Sequence, residues 1–318
     1  MAHGCMEYMK RMFTMDEQLE VTTTHTATDD VLESKGTSPV AKSFDSRTQV
    51  IQPAYTRRLR PQTGGAADLD AECPVTAPVP VEWHGISNTG MVRPQNEDSF
   101  SCVSREKWSL YVVADGMGGH DAGEVASRIA VETVCREIDA HVKQNEDPLR
   151  LIEHAVQLAN SEVKKEGAHR GSNMGTTLSL ALVDDNTAYI ANVGDSRVYW
   201  VEDGSITQIT EDHSLVAKLV AAGKMTKEEA RNHPKSNLLY RTIGTDESIT
   251  VDTFRVELKK GGHLMLCTDG LWGEVSDEDI HHAIFSRNDA QAASEELVRM
   301  ANAHGGNDNI TTVVVKVT

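Results

Sequence analysis

The sequence predicts an α+β domain in which antiparallel β-sheets are covered by helical hairpins. Short β-rich runs occupy the beginning and the end of residues 81–318, and amphipathic helices lie between them in pairs rather than after every strand. A doubly wound parallel sheet requires a helix after each strand, so paired helices favour antiparallel sheets. The length of 318 residues allows one large domain with an appendage or two smaller domains.

Nine β-rich runs predict the strands. Most are rich in Val, Ile, Leu or aromatic residues, and several end in a turn signal such as Asp-Gly, Asp-Asn or Gly-Asp. The predicted strands are 82–87, 99–103, 110–114, 176–183, 188–193, 197–201, 249–257, 264–267 and 311–317.

Four long helices accompany these strands. Two of them, at 123–143 and 148–165, lie next to each other between the early and the middle strands, and apolar residues recur in the first at spacings that place them on one face. Pro148 suits the first turn of the second helix. The other two, at 277–286 and 290–304, precede the last strand.

Two stretches depart from this regular pattern. Residues 211–245 are polar and mixed, with short helical pieces at 215–222 and 227–232, and predict a compact insertion, the flap, of a kind that often shapes access to a site. Residues 1–80 hold six of the nine prolines and no sustained period. Such a composition buries too little apolar surface to offset chain entropy, so it predicts a disordered N-terminal extension before the domain at 81–318.

Charge and cysteine usage exclude several classes of protein. A formal net charge of −17 argues against a general affinity for nucleic acid or for an anionic membrane surface. No stretch approaches the run of about 18 apolar residues that spans a bilayer, and the N-terminus lacks the apolar core of a signal peptide. The five cysteines form no C-x-x-C pair, which predicts neither a zinc site nor a disulfide framework and fits a reducing cytosol. We therefore expect a cytoplasmic protein.

Four aspartates lie on loops beside predicted strands. Asp115 and Asp269 each follow an apolar strand and begin an Asp-Gly pair, whose glycine lets a backbone carbonyl approach a ligand closely. Asp195 follows a strand, and Asp308 precedes the last one. Any one of them alone is more often an ordinary turn residue. Together, without His or Cys at metal-ligand spacing, they favour a hard cation such as Mg²⁺ or Mn²⁺.

The ordered set of motifs resembles the metal-dependent PPM (protein phosphatase 2C-like) Ser/Thr protein phosphatases, in their bacterial form. The matching stretches run through essentially all of residues 84–318. In chain order they are GMVRPQNED at 90–98, VADGMGGH at 113–120, GTT at 175–177, VGDSR at 193–197, DHS at 212–214, TDGLWG at 268–273 and NDNIT at 307–311. The resemblance implies two packed antiparallel β-sheets flanked by pairs of helices, an α/β/β/α sandwich with the flap inserted.

The resemblance also implies metal ligands. Asp115 would bridge two metal ions, and Gly116 would offer its carbonyl oxygen to one of them. Asp269 and Asp308 would complete the other site. Asp195, together with Asp269, is similar to the pair that holds a third metal in bacterial members.

Two further acidic residues, Glu97 and Asp98, would act mostly through metal-bound waters. The implied cofactor is Mn²⁺ or Mg²⁺, as two core ions and, in bacterial members, a third. Two cations that flank one water lower its pKa, so that a hydroxide exists near neutral pH and is aimed in line at phosphorus.

Arg93 and His120 are the candidate catalytic residues. A guanidinium holds two phosphate oxygens in a fork, which suits Arg93 to the phosphate, although an arginine in such a loop is usually solvated or paired with an acid. Imidazole titrates near working pH, so His120 is the candidate general acid that protonates the leaving Ser or Thr alkoxide. Many eukaryotic members instead have His at the position of Met117. His213, at the start of the flap, is interpreted as structural or substrate-adjacent.

The predicted function is hydrolysis of phosphoserine and phosphothreonine on proteins, which reverses a Ser/Thr kinase. A non-catalytic phosphatase-like regulatory module is one alternative, but such proteins typically lack one or more metal carboxylates, and all are present here. A metal-dependent phosphodiesterase or nuclease is another; the acidic charge and the absence of basic-aromatic patches count against it.

The expected partners are phosphorylated protein substrates and a cognate Ser/Thr kinase, with no nucleic acid and no membrane. A further hypothesis is that phosphorylated Thr48 docks a phosphothreonine-binding domain, although an ordinary polar linker is the commoner interpretation of that segment.

Overall fold

The structure, a computed structural model, describes residues 48–51, 81–118, 122–142, 147–231 and 233–318. Within these residues every strand pairs antiparallel with its neighbours. The strands form two sheets. The predicted α+β class with two packed antiparallel sheets is confirmed.

The two sheets draw their strands from both halves of the chain. In spatial order the first sheet contains β1 (Thr48–Ile51), β2 (Val81–Asn88), β12 (Ile310–Val317), β11 (His263–Cys267), β8 (Arg197–Glu202) and β9 (Ser205–Gln208). The second contains β10 (Asp252–Glu257), β7 (Thr187–Val193), β6 (Leu178–Asp184), β4 (Trp108–Met117) and β3 (Asp98–Ser104), with β5 (Gly175–Thr176) paired to the end of β4.

Seven helices lie in the described part of the chain. They are α1 (Ala122–His141), α2 (Pro148–Arg170), α3 (Leu215–Ala221), α4 (Lys227–Arg231), α5 (Asp269–Trp272), α6 (Asp277–Phe285) and α7 (Ala290–Ala303). None of these helices is both long and apolar enough to cross a bilayer.

The helices cover the outer faces of the sheets, which gives four layers. The cluster under α1 and α2 contains Leu110, Val112, Leu180, Val134, Ile138, Ile152 and Val156. The cluster under α6 and α7 contains Met265, Val314, Ile280, Ile284, Leu297 and Ala301. Between the sheets lie Tyr111, Val113, Ile190, Leu264, Leu266, Val313 and Val315.

Strand β4 shows how the sequence encodes this stack. Successive side chains of a strand point to opposite faces of the sheet. In β4, Leu110 and Val112 face the helices while Tyr111 and Val113 face the other sheet. Because both faces are buried, the strand is an unbroken apolar run rather than an alternating one.

Several boundaries differ from the prediction for identifiable reasons. Helix α2 runs beyond residue 165 to Arg170, because the left-handed residue that ends it is Gly171, with φ of 64°. Strand β10 starts at Asp252 rather than 249, because the carbonyl of Ile249 accepts a hydrogen bond from Gln157 instead of joining the ladder. The predicted strand at 176–183 is broken at Thr177, which hydrogen-bonds to Asp115.

Two strands were not predicted. Strand β9 forms a hairpin with β8 through Asp203-Gly204, where Gly204 has a φ of 80°. The Asp-Gly pair, a common hairpin turn, is the feature of the sequence that indicates this hairpin. Strand β1 lies within residues 1–80, where we expected a disordered extension, and its backbone pairs with the otherwise open edge of β2. The remainder of that extension lies outside the described residues.

Two buried histidines, His84 and His263, lie in the first sheet beneath α6 and α7. Burial lowers the pKa of His84. Burial, with a smaller effect of Lys316, lowers the pKa of His263 to about 4. The ring of His263 packs edge-on against Phe285 of α6, with centroids 5.2 Å apart. Neither packing site favours the charged imidazolium.

We expect His263 to make the fold sensitive to acid. The unfolded histidine takes up a proton near pH 6.5 and the folded one only near pH 4, so stability present above 6.5 is lost as the pH falls toward 4. Between about pH 7.5 and about pH 5.5 the loss is about 1 kcal/mol. Urea unfolding at both pH values should show that His263→Gln loses about 1 kcal/mol less than wild type. Equal losses in the two proteins would contradict this assignment.

Candidate active site

The site lies where the two sheets meet at one end of the sandwich. Strands β3 and β4 are paired so that Asp98 stands directly opposite Asp115. From the other sheet, β11 leads into Asp269 at the start of α5, and Asp308 precedes β12. Asp195 lies in the turn between β7 and β8. The structure therefore brings together the aspartates that the sequence placed on separate loops.

Asp98 connects the two sheets. It is buried, and its Oδ2 accepts hydrogen bonds from Oγ1 of Thr268 at 2.8 Å and from Oγ1 of Thr311 at 2.6 Å. Both threonines belong to the first sheet or its extension, whereas Asp98 belongs to the second. Its Oδ1 is buried without a hydrogen-bond partner. One carboxylate thus ties the sheets together and leaves an oxygen for a further ligand.

Asp269 and Asp115 interact electrostatically, and Oδ1 of Asp269 is buried without a hydrogen-bond partner. Loss of hydration and repulsion from Asp269 raise the pKa of Asp115 well above its usual range. Loss of hydration, followed by repulsion from Asp308, raises the pKa of Asp269.

The same forces act on the other two aspartates. Burial raises the pKa of Asp98, and its hydrogen bonds to the two threonines oppose that shift. Burial, followed by repulsion from Asp269, raises the pKa of Asp195 well above its usual range. The charged forms of these four neighbouring carboxyl groups are therefore destabilised, and a bound cation would stabilise them.

The donor set fits a hard divalent cation. It offers oxygen donors, with unpartnered buried carboxylate atoms on Asp98 and Asp269. Among the described residues, no three Asp, Glu, His or Cys side chains already converge as a finished metal cage. One of the candidate ligands, Asp308, is paired with Arg93.

Glycines allow the backbone to close around the site. A Cβ at Gly116 would lie 2.1 Å from the carbonyl oxygen of Gly123 and 2.6 Å from that of Glu97. A Cβ at Gly270 would lie 2.0 Å from the carbonyl oxygen of Asn309. Both contacts are far shorter than van der Waals distance, so the glycine of each Asp-Gly pair is required by packing.

Arg93 lies at the rim. Its Nη2 donates to Oδ2 of Asp308 at 2.7 Å, and its side chain is 45% exposed. The loop that carries it is held in place, because Gly90 adopts a φ of 79° and the amide of Met91 donates to the carbonyl of Gly306 at 2.8 Å. Arg93 is thus both accessible and already oriented toward the aspartates.

Glu97 contributes its backbone to this arrangement. Its carbonyl oxygen accepts the amide of Gly116 at 3.1 Å and the hydroxyl of Ser127 at 2.6 Å. Its side chain packs against Gly123. His120, the candidate general acid, lies outside the described residues.

Several residues of the motifs support the site although the sequence pattern predicts no role for them. Thr177 accepts the amide of Asp115 on its hydroxyl at 2.9 Å, and its own amide donates to the carbonyl of Asp115 at 2.9 Å. Asn309 donates to the carbonyls of Thr89 and Gln95, both at 2.9 Å, and accepts the amide of Glu97. In the sequence, Thr177 lies two positions after the motif glycine Gly175, and Asn309 directly follows the motif aspartate Asp308.

A second group of supporting residues surrounds Asp195. Arg197 holds Asp212 through three hydrogen bonds of 2.7–3.2 Å, and its guanidinium stacks 3.5 Å from the centre of the Trp272 ring. Trp272 donates its indole N–H to the carbonyl of Asp195 at 3.0 Å. The first residue of the Asp-His-Ser stretch is therefore a structural anchor for the flap.

We expect Asp269→Asn to stabilise the metal-free protein, because it removes one charge from the cluster. At about pH 7.5 the gain in the free energy of unfolding should be about 2 kcal/mol in the presence of chelator. The same variant should lose most of the rise in Tm that Mn²⁺ produces in wild type. Calorimetry with chelator and with Mn²⁺ measures both effects. A destabilised variant that keeps the full Mn²⁺ shift would contradict the proposed cluster.

Comparison with known proteins finds relatives across most of the chain. The family model described as Protein phosphatase 2C matches residues 93–310. The "Serine/threonine phosphatase stp" of Listeria innocua is 36% identical over 236 residues, which cover 72% of this chain and 93% of the relative. The "Serine/threonine protein phosphatase PstP" of Mycobacterium tuberculosis is 40% identical over 238 residues, which cover 73% of this chain and 44% of that protein.

Solved structures agree with the sequence comparison. The crystal structure of the Mycobacterium tuberculosis phosphatase PstP/Ppp has a TM-score of 0.68 at 34% identity, and the match covers 74% of this chain and 98% of that one. The catalytic domain of PstP in complex with two manganese ions has a TM-score of 0.65 at 34% identity, covering 75% and 98% of the two chains. This chain therefore belongs to the protein phosphatase 2C family.

Proposed function

We propose that this protein is a metal-dependent phosphatase that hydrolyses phosphoserine and phosphothreonine on other proteins. The observation that carries the proposal is the cluster of aspartates with raised pKa values at one end of the sandwich, with Arg93 at its rim. The names of the relatives, which are Ser/Thr phosphatases, support it. A non-catalytic module would have no need to keep such a strained arrangement of charge.

The residues that would hold the metal ions are those of the cluster. Asp115 and the carbonyl of Gly116 would serve one ion, and Asp115 with Asp269 and Asp308 would serve the other. Asp195 with Asp269 would hold a third. When bound, Mn²⁺ or Mg²⁺ supplies a water of lowered pKa and neutralises charge on the phosphoryl group. The unpartnered oxygen of Asp269 is consistent with this assignment.

Glu97 and Asp98 would support the ions from a greater distance. Asp98 is already committed on one oxygen to Thr268 and Thr311, so only its Oδ1 is available to hold a water. The backbone of Glu97 fixes the loop that carries Gly116. These contacts make both residues part of the frame that orients the aspartates.

Arg93 would orient the phosphoryl group. Its ion pair with Asp308 is partly exposed, and an exposed pair of this kind is weak enough to exchange for a phosphate dianion. The planar guanidinium then holds two phosphate oxygens and excludes rotation of the group. His120 is proposed as the acid that protonates the leaving alkoxide of the Ser or Thr side chain.

The proposed partners follow from this reaction. They are phosphorylated proteins and the Ser/Thr kinase whose products the enzyme resets, in the cytoplasm. The hypothesis that phosphorylated Thr48 docks a phosphothreonine-binding domain has a structural consequence: Thr48 is paired with Asn88 across the β1–β2 ladder, so docking would compete with that pairing.

We expect Asp115→Asn to abolish hydrolysis of a phosphothreonine peptide in Mn²⁺ while the fold is retained. The matched control is Asp184→Asn, since Asp184 also has a raised pKa but stands opposite Trp108, at the far end of β4 from Asp115. Phosphate release measures the loss of hydrolysis, and circular dichroism measures whether the fold is retained. Bis(p-nitrophenyl) phosphate tests the diesterase alternative. Full activity of Asp115→Asn, or of wild type in excess chelator, would falsify the proposal.

We expect Arg93→Ala to lower kcat/KM for the phosphopeptide roughly 100-fold, the loss of about 2–3 kcal/mol from a charged phosphate contact. Arg93→Lys should recover part of this, because the charge remains but the fork does not. Arg105→Ala is the control, since Arg105 is 47% exposed and also paired with an aspartate, but lies in the β3–β4 turn. Steady-state kinetics measure these changes in kcat/KM. Equal losses of kcat/KM in Arg93→Ala and Arg105→Ala would contradict the role assigned to Arg93.

A further inference from the structure

His213 is a buried imidazole that the proposed reaction does not use. Its Nδ1 accepts the amide of Gly194 at 3.0 Å, and its own amide donates to the carbonyl of Gly194 at 2.9 Å. One residue therefore holds both polar groups of Gly194. Gly194 immediately precedes Asp195, so these two hydrogen bonds set the direction in which the chain enters Asp195.

The conformation held in this way is available to glycine and few other residues. Gly194 has a φ of 106°, and a Cβ there would lie 2.6 Å from the Cβ of Thr177. Thr177 in turn binds the backbone of Asp115 and shares a hydrogen bond of 2.7 Å with Ser196. The turn that carries Asp195 is thus packed against the strand end that carries Asp115, and His213 holds it from the opposite side.

The other ring nitrogen faces the end of the flap. Because Nδ1 accepts a hydrogen bond from the amide of Gly194, the neutral ring carries its hydrogen on Nε2, which donates to Oδ2 of Asp252 at 3.0 Å. Arg241 donates to Oδ1 of the same carboxylate at 2.6 Å, and its Nη1 lies 2.9 Å from Nε2. Burial lowers the pKa of His213; the hydrogen bond to Asp252 opposes this shift and the charge of Arg241 adds to it, so the neutral ring is favoured.

His213 also contacts the end of the flap through its backbone. The amide of Tyr240 donates to the carbonyl of His213 at 2.9 Å, and the two rings are 5.7 Å apart. His213 lies near the first residue of the flap, whereas Tyr240 and Arg241 lie near its last. Both ends of the flap therefore meet at this one imidazole.

We propose that His213 is a positioning residue that holds the Gly194–Asp195 turn in the shape needed for cation binding and makes that shape depend on the flap. The inference rests on the proposed role of Asp195 as a metal ligand. Groups that orient a ligand are often nearly as important as the ligand, and their loss typically lowers metal affinity about 10- to 100-fold.

The proposal distinguishes between two conservative substitutions. The amide of asparagine lies near the position of Nδ1, so His213→Asn keeps an acceptor for Gly194. The longer glutamine places its amide near Nε2, so His213→Gln keeps the contact with Asp252 and loses the acceptor. We expect asparagine to preserve the function of the residue and glutamine to impair it, a difference that a general loss of packing would not produce.

The experiment is a Mn²⁺ titration of the full chain, followed by isothermal calorimetry and by phosphopeptide hydrolysis. His213→Gln should weaken about tenfold the Mn²⁺ site that Asp195→Asn removes, and raise the Mn²⁺ concentration for half-maximal activity by a similar factor. His213→Asn should behave like wild type. His263→Gln, at another buried histidine, is the matched control and should leave both readouts unchanged.

A double variant that combines His213→Gln with Asp195→Asn shows whether His213 affects Mn²⁺ binding through Asp195. In that background His213→Gln should change neither Mn²⁺ readout further. Additive losses, equal impairment by asparagine and glutamine, or a wild-type response of His213→Gln would each overturn the inference. Should His213→Gln fail to fold, Asp252→Ala, which frees the other side of the ring, is expected to give the same pattern with a smaller effect. An Asp195→Asn variant identical to wild type would instead refute the proposed role of Asp195.

Discussion

The hydrogen bonds between Asp98 and the hydroxyls of Thr268 and Thr311 are the contact on which the site depends. They cross from one sheet to the other, and Asp98 itself faces Asp115 in the β3–β4 ladder. The spacing between the strand that ends in Asp115 and the strand that leads to Asp269 is therefore set by a carboxylate. An apolar residue at this position would remove the acceptor of both hydroxyls. Thr311 would keep its hydrogen bond with Ser87, but the hydroxyl of Thr268 would keep only the amide of Thr311, for which it is the acceptor, so its buried hydrogen would lose its partner.

The cluster around this contact is unfavourable for the fold by itself. Burial removes the hydration of Asp115, Asp195 and Asp269, and repulsion between neighbouring carboxylates adds to that cost, so the pKa values of all three are raised. A charge arrangement that weakens the metal-free fold is expected where a cation is to be bound, because binding then contributes to stability as well as to chemistry. Stability and function are thus opposed in the absence of metal and aligned in its presence.

Most of the supporting residues act on backbone groups rather than on carboxylates. Thr177 holds the amide and carbonyl of Asp115, Asn309 holds the Arg93 loop, and His213 holds Gly194. Hydrogen bonds to the backbone fix the position from which each candidate ligand side chain extends, and this limits the conformations open to that side chain. The flap is bonded to this frame at both ends, through Asp212 near its start and Arg241 near its end. A movement of the flap would therefore be transmitted to the turn that carries Asp195.

The sequence by itself determined the α+β class, the antiparallel pairing, most strand and helix positions, and the aspartates at strand ends, because apolar period and turn chemistry are local properties. Only the tertiary structure decided that Asp98 faces Asp115, that Arg93 pairs with Asp308 across 215 residues of chain, and that His213 holds Gly194. Short strands such as β9 and the divided β5–β6 run also escaped prediction, since their limits come from neighbouring strands. Contacts between distant segments depend on register and packing, and no local pattern encodes either of them.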